Sequence, residues 1–120
     1  MSFREHLEQV VKNVDGAVAC SVMGFDGIAI DTHQVQATDL DLSAMLVEYG
    51  GILSKLKEAA LALQAGTVSE VTIATEKLST IARLLTPEYY LVLALRPEGN
   101  AGKGRYALRL AAPKVRAELG

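Results

Sequence analysis

Apolar residues recur along the chain first at helical and then at strand spacing. Phe3, Leu7, Val10, Val11 and Val14 fall on one helical face. Ser2 and Glu5 form a capping box in front of them, and Gly16 follows as a stop, so a helix is predicted over about 3–14. Val18, Cys20 and Val22 then alternate with Ala17, Ala19, Ser21 and Met23, the pattern of a strand covered on both faces. Asp26-Gly27 predicts a tight hairpin with a primed turn. Ile28 to Thr32 returns as a second strand that turns polar quickly, as edge strands do. Thr38-Asp39-Leu40-Asp41 offers a second cap for a long helix, about 40–64, ended by Gly66. Three strands follow: Val68 to Thr75, Leu78 to Leu85 after a Glu76-Lys77 turn, and Tyr89 to Arg96 after Thr86-Pro87-Glu88. The last is apolar on both faces and is therefore expected at the centre of the sheet. After a loop from Pro97 to Gly102, a helix is predicted from about Lys103 to Leu119 on a stripe of Leu108, Ala112, Val115 and Leu119. Pro113 lies inside it and removes the bond to the Arg109 carbonyl, so a kink or break is expected.

In the long helix Leu42, Met45, Leu46, Tyr49, Ile52, Leu53, Leu56, Ala60 and Leu63 form a broad stripe expected to face the sheet. About 100° away lies a line of small or weakly polar residues, Ser43, Val47, Gly50 and Ser54, with Gly51 beside it. Two glycines inside a helix cost about 1 kcal/mol each relative to alanine. Either the helix packs closely on its own sheet there, or a helix from a second subunit approaches closely. The order αββαβββα, with strands in runs rather than alternating with helices, indicates an α+β domain with a mainly antiparallel sheet. No repeat, low-complexity tract or linker divides the 120 residues, which read as one domain, 1–120.

Composition narrows the function. Half the residues are apolar and 22% charged, which suits an ordered globule. A net charge of −2 argues against nucleic acid, whose binders carry a basic excess. Lys103, Arg105, Arg109, Lys114 and Arg116 do gather near the C-terminus, opposed only by Glu118, and read as a solvated helix face. No apolar run is long enough to span a bilayer. The N-terminus opens into an amphipathic segment without a signal-peptide core, so a cytoplasmic location is expected. The single cysteine, Cys20, sits in an apolar run as buried filler.

Candidate chemistry is sparse. His6 and His33 are the only histidines and have no partners at metal-ligand spacing. No serine sits in a nucleophile-elbow pattern. Gly99-Asn100-Ala101-Gly102-Lys103-Gly104 precedes a helix, which suits phosphate binding. It lacks the P-loop spacing and the hydroxyl after the lysine, so Asn100 reads as a helix cap. Asp26, Asp31, Asp39 and Asp41 do not follow EF-hand spacing. No catalytic residue, metal or cofactor is expected.

Gly16-Ala17-Val18 through Asp26-Gly27-Ile28-Ala29-Ile30 resembles the opening hairpin of roadblock (dynein light-chain) domains. The long helix with its small residues and the three strands continue the likeness. Asn100-Ala101-Gly102-Lys103-Gly104-Arg105 and Leu108-Arg109-Leu110-Ala111-Ala112 are similar to that family's last loop and helix. The resemblance implies a five-stranded antiparallel sheet ordered 2-1-5-4-3, with helix 2 on one face and helices 1 and 3 on the other. It also implies pairing through the second helix and third strand into a ten-stranded sheet, with no active site. Many members bind small Ras-like GTPases, and bacterial relatives in gliding motility stimulate GTP hydrolysis without an arginine finger.

The residues agree with such pairing. Val71 and Ile73 lie on a strand with no proline or lysine to blunt an edge. The expected homodimer interface is therefore Ser43, Val47, Gly50, Gly51, Ser54, Val71 and Ile73 in an isologous contact. The expected function is a non-catalytic regulator or adaptor of a small GTPase, or alternatively a scaffold subunit of a motor or cell-polarity complex. If hydrolysis is stimulated, Arg83, Arg96 and Arg105 are the conspicuous donors.

Overall fold

A computed structural model describes residues 2–120. The elements run α1 (Phe3–Lys12), β1 (Ala17–Gly24), β2 (Ala29–Gln34), α2 (Leu42–Ala62), β3 (Glu70–Ala74), β4 (Ser79–Leu84), β5 (Tyr89–Leu95) and α3 (Ala101–Glu118). The strands form one antiparallel sheet in the order β2-β1-β5-β4-β3. The expected α+β class and topology are thus present, with β5 central and β2 and β3 at the edges.

Alternation along β5 divides the core. Leu91, Leu93 and Leu95 point to one face, where they meet Leu7, Val10 and Val11 of α1 and Leu108, Ala112 and Val115 of α3. Tyr90, Val92 and Ala94 point to the other, toward α2. A bulge in β1 between Ala17 and Ala19 interrupts its alternation, and both Val18 and Ala19 join the α2 side. Cys20 is buried, and loss of hydration pushes its thiol up to about 12, so it packs as an apolar group.

The helix caps follow local sequence. Ser2 and Glu5 make the reciprocal capping box of α1, and Asn100 Oδ1 accepts from Lys103 N at 3.0 Å at the start of α3. For α2 the cap is Asp41, which accepts from Ala44 N at 3.1 Å, while Thr38 caps only the preceding turn through Leu40 N.

Several expectations are corrected. The β1–β2 connection is a three-residue loop. Gly27 N bonds Gly24 O and Gly24 N bonds Ile28 O, and only Gly27 is left-handed (φ +90°), so this is a type I turn closed by a left-handed glycine. Asp26 keeps an ordinary φ and accepts from Ile28 N instead. Helix α2 stops before Gly66: Ala65 N bonds Ala60 O and Gln64 N bonds Leu61 O, a Schellman termination with Gln64 at φ +59°. α3 does not break at Pro113, because that residue faces solvent, where water can take the freed Arg109 carbonyl.

Candidate interaction surface

The largest difference from the sequence reading is the rotation of α2. Its buried residues are Leu46, Gly50 and Leu53, a narrower line than the predicted stripe. Ile52, Leu56 and Leu63, expected against the sheet, are exposed. Four contacts set this phase. The Tyr90 hydroxyl, fully buried, donates to the Leu46 carbonyl at 2.7 Å. The Phe25 and Tyr90 rings lie 4.9 Å apart, and Lys57 Nζ sits 3.7 Å from the Phe25 centroid. Lys57 also donates to the Pro87 carbonyl at 2.9 Å. Gly50 lies directly over Tyr90: a Cβ there would stand 2.9 Å from the hydroxyl oxygen. Gly50 is therefore small because the domain's own sheet approaches it. Gly51 has nothing within 4 Å of a Cβ position and faces outward.

With α2 so held, Ser43, Val47 and Gly51 are exposed and Ser54 is half-buried. Val47 and Ile52 are each 48% exposed and Leu56 40%; at 100° per residue Val47 lies on the flank of α2 nearest Gly27, Ile52 and Leu56 lie on the other flank, and Glu48 and Lys55 stand between them on the outer face. Among the described residues β3 pairs only with β4, leaving its other edge without a ladder partner there. Val71 and Ile73 are half-buried on the α2 side of that edge, opposite Ala82 and Thr80. A cleft of about 440 Å³ opens at the C-terminal end of α2, between Lys57, Leu61, Val68, Leu84 and Pro87. An outer helix face, a bare strand edge and a shallow cleft thus adjoin one another. This arrangement can bury apolar surface and complete a ladder.

The three arginines are already engaged. Glu70, on β3, takes Arg105 at 2.8 Å and Arg83 at 3.6 Å. Arg96 donates to Gln36 Oε1 at 2.6 Å and lies 3.9 Å from Glu98. Pairing across the sheet and between elements brings these groups together, and no local motif announces it. At the 99–104 loop, the Lys103 and Gly104 amides already donate to Asn100, through its side-chain oxygen and its carbonyl respectively. Among the described residues no group of three or more His, Cys, Asp or Glu side chains is placed to hold a metal ion. Nor is any helix there long and apolar enough to cross a membrane.

An antiparallel 2-1-5-4-3 sheet with one helix on one face and two on the other is the architecture of roadblock-type domains. Solved structures carry the likeness further. MglC from Myxococcus xanthus is 59% identical over 98% of this chain and 99% of that one, with a TM-score of 0.71. The Roadblock/LC7 domain from Streptomyces avermitilis matches over 99% of this chain and 98% of that one at 16% identity, with a TM-score of 0.83. The gliding protein mglB from Thermus thermophilus matches over 91% and 82% at 16% identity, with a TM-score of 0.80. The last two speak to fold alone. No family model and no curated protein matches the chain. The chain belongs to the Roadblock/LC7 family, and over almost its whole length it is similar to MglC.

Proposed function

We propose that the chain is a non-catalytic homodimeric regulator or adaptor that binds a small Ras-like GTPase, in the setting of gliding motility. The observation that carries this reading is the open edge of β3, together with the exposed apolar side chains that α2 carries on its flanks. Two copies meeting there bury Val47 and Gly51 with their symmetry mates and join two five-stranded sheets at Val71 and Ile73. Ser43 and Ser54 line the same contact, and Gly50 keeps the helix close to its own sheet behind it. Support comes also from a fold relative described as MglB with tetrameric arrangement, and from the relative described as a gliding protein.

Light scattering at micromolar concentration tests the pairing. Twice the 12.8 kDa chain mass is expected, and Val47→Glu is expected to halve it. A stable wild-type monomer rules the dimer out. GTPase binding is tested by pull-down against the organism's small GTPases, each loaded with GTP or GDP. Absence of any nucleotide-dependent binding removes the GTPase reading.

The engagement of Arg83, Arg96 and Arg105 by in-chain partners favours one alternative, a scaffold subunit of a motor or polarity complex with no effect on hydrolysis. Single-turnover hydrolysis with the bound GTPase separates the two. Unchanged turnover supports the scaffold, and acceleration that survives Arg83→Ala, Arg96→Ala and Arg105→Ala supports a regulator that reshapes the GTPase.

A further inference from the structure

The outward face of α3 has the wrong polarity for a helix that meets only water. Tyr106 is 58% exposed and Leu110 52%, and Pro113 and Ala117 are exposed beyond them. At 100° per residue these four form one line, directly opposite the buried Leu108, Ala112 and Val115. Lys103 and Lys114 flank the line on one side, and Arg109 flanks it on the other. Arg105 is taken by Glu70 and Arg116 by the Leu85 carbonyl. The side chains of Lys103, Arg109 and Lys114 make no hydrogen bond or ion pair with any described residue. The helix carries five cations and one acid in a chain whose net charge is −2. Scattered exposed apolar residues need no explanation, but an apolar line with unpaired cations on both flanks is a complementary template.

We propose that this face docks an amphipathic helical segment of another protein, apolar along one stripe and carrying Asp or Glu on both sides of it. The line from Lys103 to Ala117 is about 21 Å long at 1.5 Å per residue, which matches four turns of such a helix. The other helices of the chain do not fit that description. The outer face of α1 has no apolar line, and the outer band of α2 mixes Glu48 and Glu58 with Lys55. An anionic bilayer offers the same charge but needs a deeper apolar wedge than one tyrosine and one leucine. α3 lies across the sheet from α2, so this site stands apart from the proposed dimer face.

The test is an NMR titration of the isotope-labelled full chain with two synthetic helical peptides that share a leucine stripe and differ only in having Glu or Lys on both flanks. Vesicles containing phosphatidylglycerol form a third arm. The Glu peptide is expected to shift amide signals across 103–117 and to weaken as salt rises. Binding is expected to fall about tenfold or more in Leu110→Ser and in the triple variant Lys103→Glu/Arg109→Glu/Lys114→Glu. These positions are exposed, and unchanged circular dichroism and scattering mass confirm that the variants fold. The Lys peptide is expected to leave the spectrum unchanged. No α3 shifts with the Glu peptide at millimolar concentration, equal response to both peptides, or binding to vesicles without binding to the Glu peptide would each overturn the proposal.

Discussion

Gly50 and Tyr90 make a sharp test, because the structure predicts that one substitution changes sign with its background. In the wild type, Gly50→Ala places a methyl 2.9 Å from the Tyr90 hydroxyl oxygen. That oxygen cannot swing aside: the ring is fully buried and the hydroxyl is bonded to the Leu46 carbonyl at 2.7 Å. Alanine gains about 1 kcal/mol of helix propensity over glycine. Against this stand overpacking of about 1–3 kcal/mol and a stretched hydrogen bond of about 1 kcal/mol. The net expectation is destabilisation by about 2 kcal/mol. Tyr90→Phe alone costs about 1 kcal/mol, since the Leu46 carbonyl keeps its helix bond. In that background the nearest ring atoms to the new methyl are Cε1 at 3.5 Å and Cζ at 3.6 Å, ordinary contact distances. Gly50→Ala is then expected to stabilise by about 1 kcal/mol. The cycle therefore shows a coupling of about 3 kcal/mol. Urea unfolding of the four proteins at one fixed protein concentration measures it, with equal m-values as the check on two-state behaviour. Additive effects within about 0.5 kcal/mol, or stabilisation by alanine in both backgrounds, would show that α2 does not sit on Tyr90 and would refute the reasoning.

Three further outcomes are expected. Gln64 holds a left-handed φ at the end of α2, so Gln64→Gly should stabilise by about 0.5 kcal/mol, the relief of strain exceeding the added freedom of the unfolded chain; an unchanged or lower urea midpoint counts against the Schellman geometry. Glu70→Ala should cost about 1–2 kcal/mol because it leaves the half-buried Arg83 without its carboxylate, whereas Arg105→Ala, at a more exposed partner, should cost under about 1 kcal/mol; equal losses would place the weight of the network elsewhere. Burial raises Cys20 from 9.0 to about 12 and Tyr90 from 10.0 to about 12, so the unfolded chain releases these protons first; stability should hold below about pH 9 and fall as pH climbs toward 12, less steeply in Tyr90→Phe, and parallel declines would deny the phenol its burial.

What was legible in the chain was set by neighbours in sequence. Element types and their order, the Ser2–Glu5 box, the Asn100 cap, the covered β1 and the central β5 all follow from periodicity and capping within a few residues. The polar β2 and the unblunted β3 likewise read as edges. Tertiary structure decided what depended on distant partners. The apolar residues of α2 run almost all the way round it, so periodicity leaves its rotation open, and Tyr90, 44 positions from the Leu46 carbonyl it binds, selects the line of Leu46, Gly50 and Leu53. A glycine has no side chain to declare its partner, so Gly50 and Gly51 look alike in sequence, yet one lies against the sheet and the other faces out. The arginines and Glu70 meet only because β3, β4 and α3 come together, since charge pairing acts through space and carries no signal along the chain.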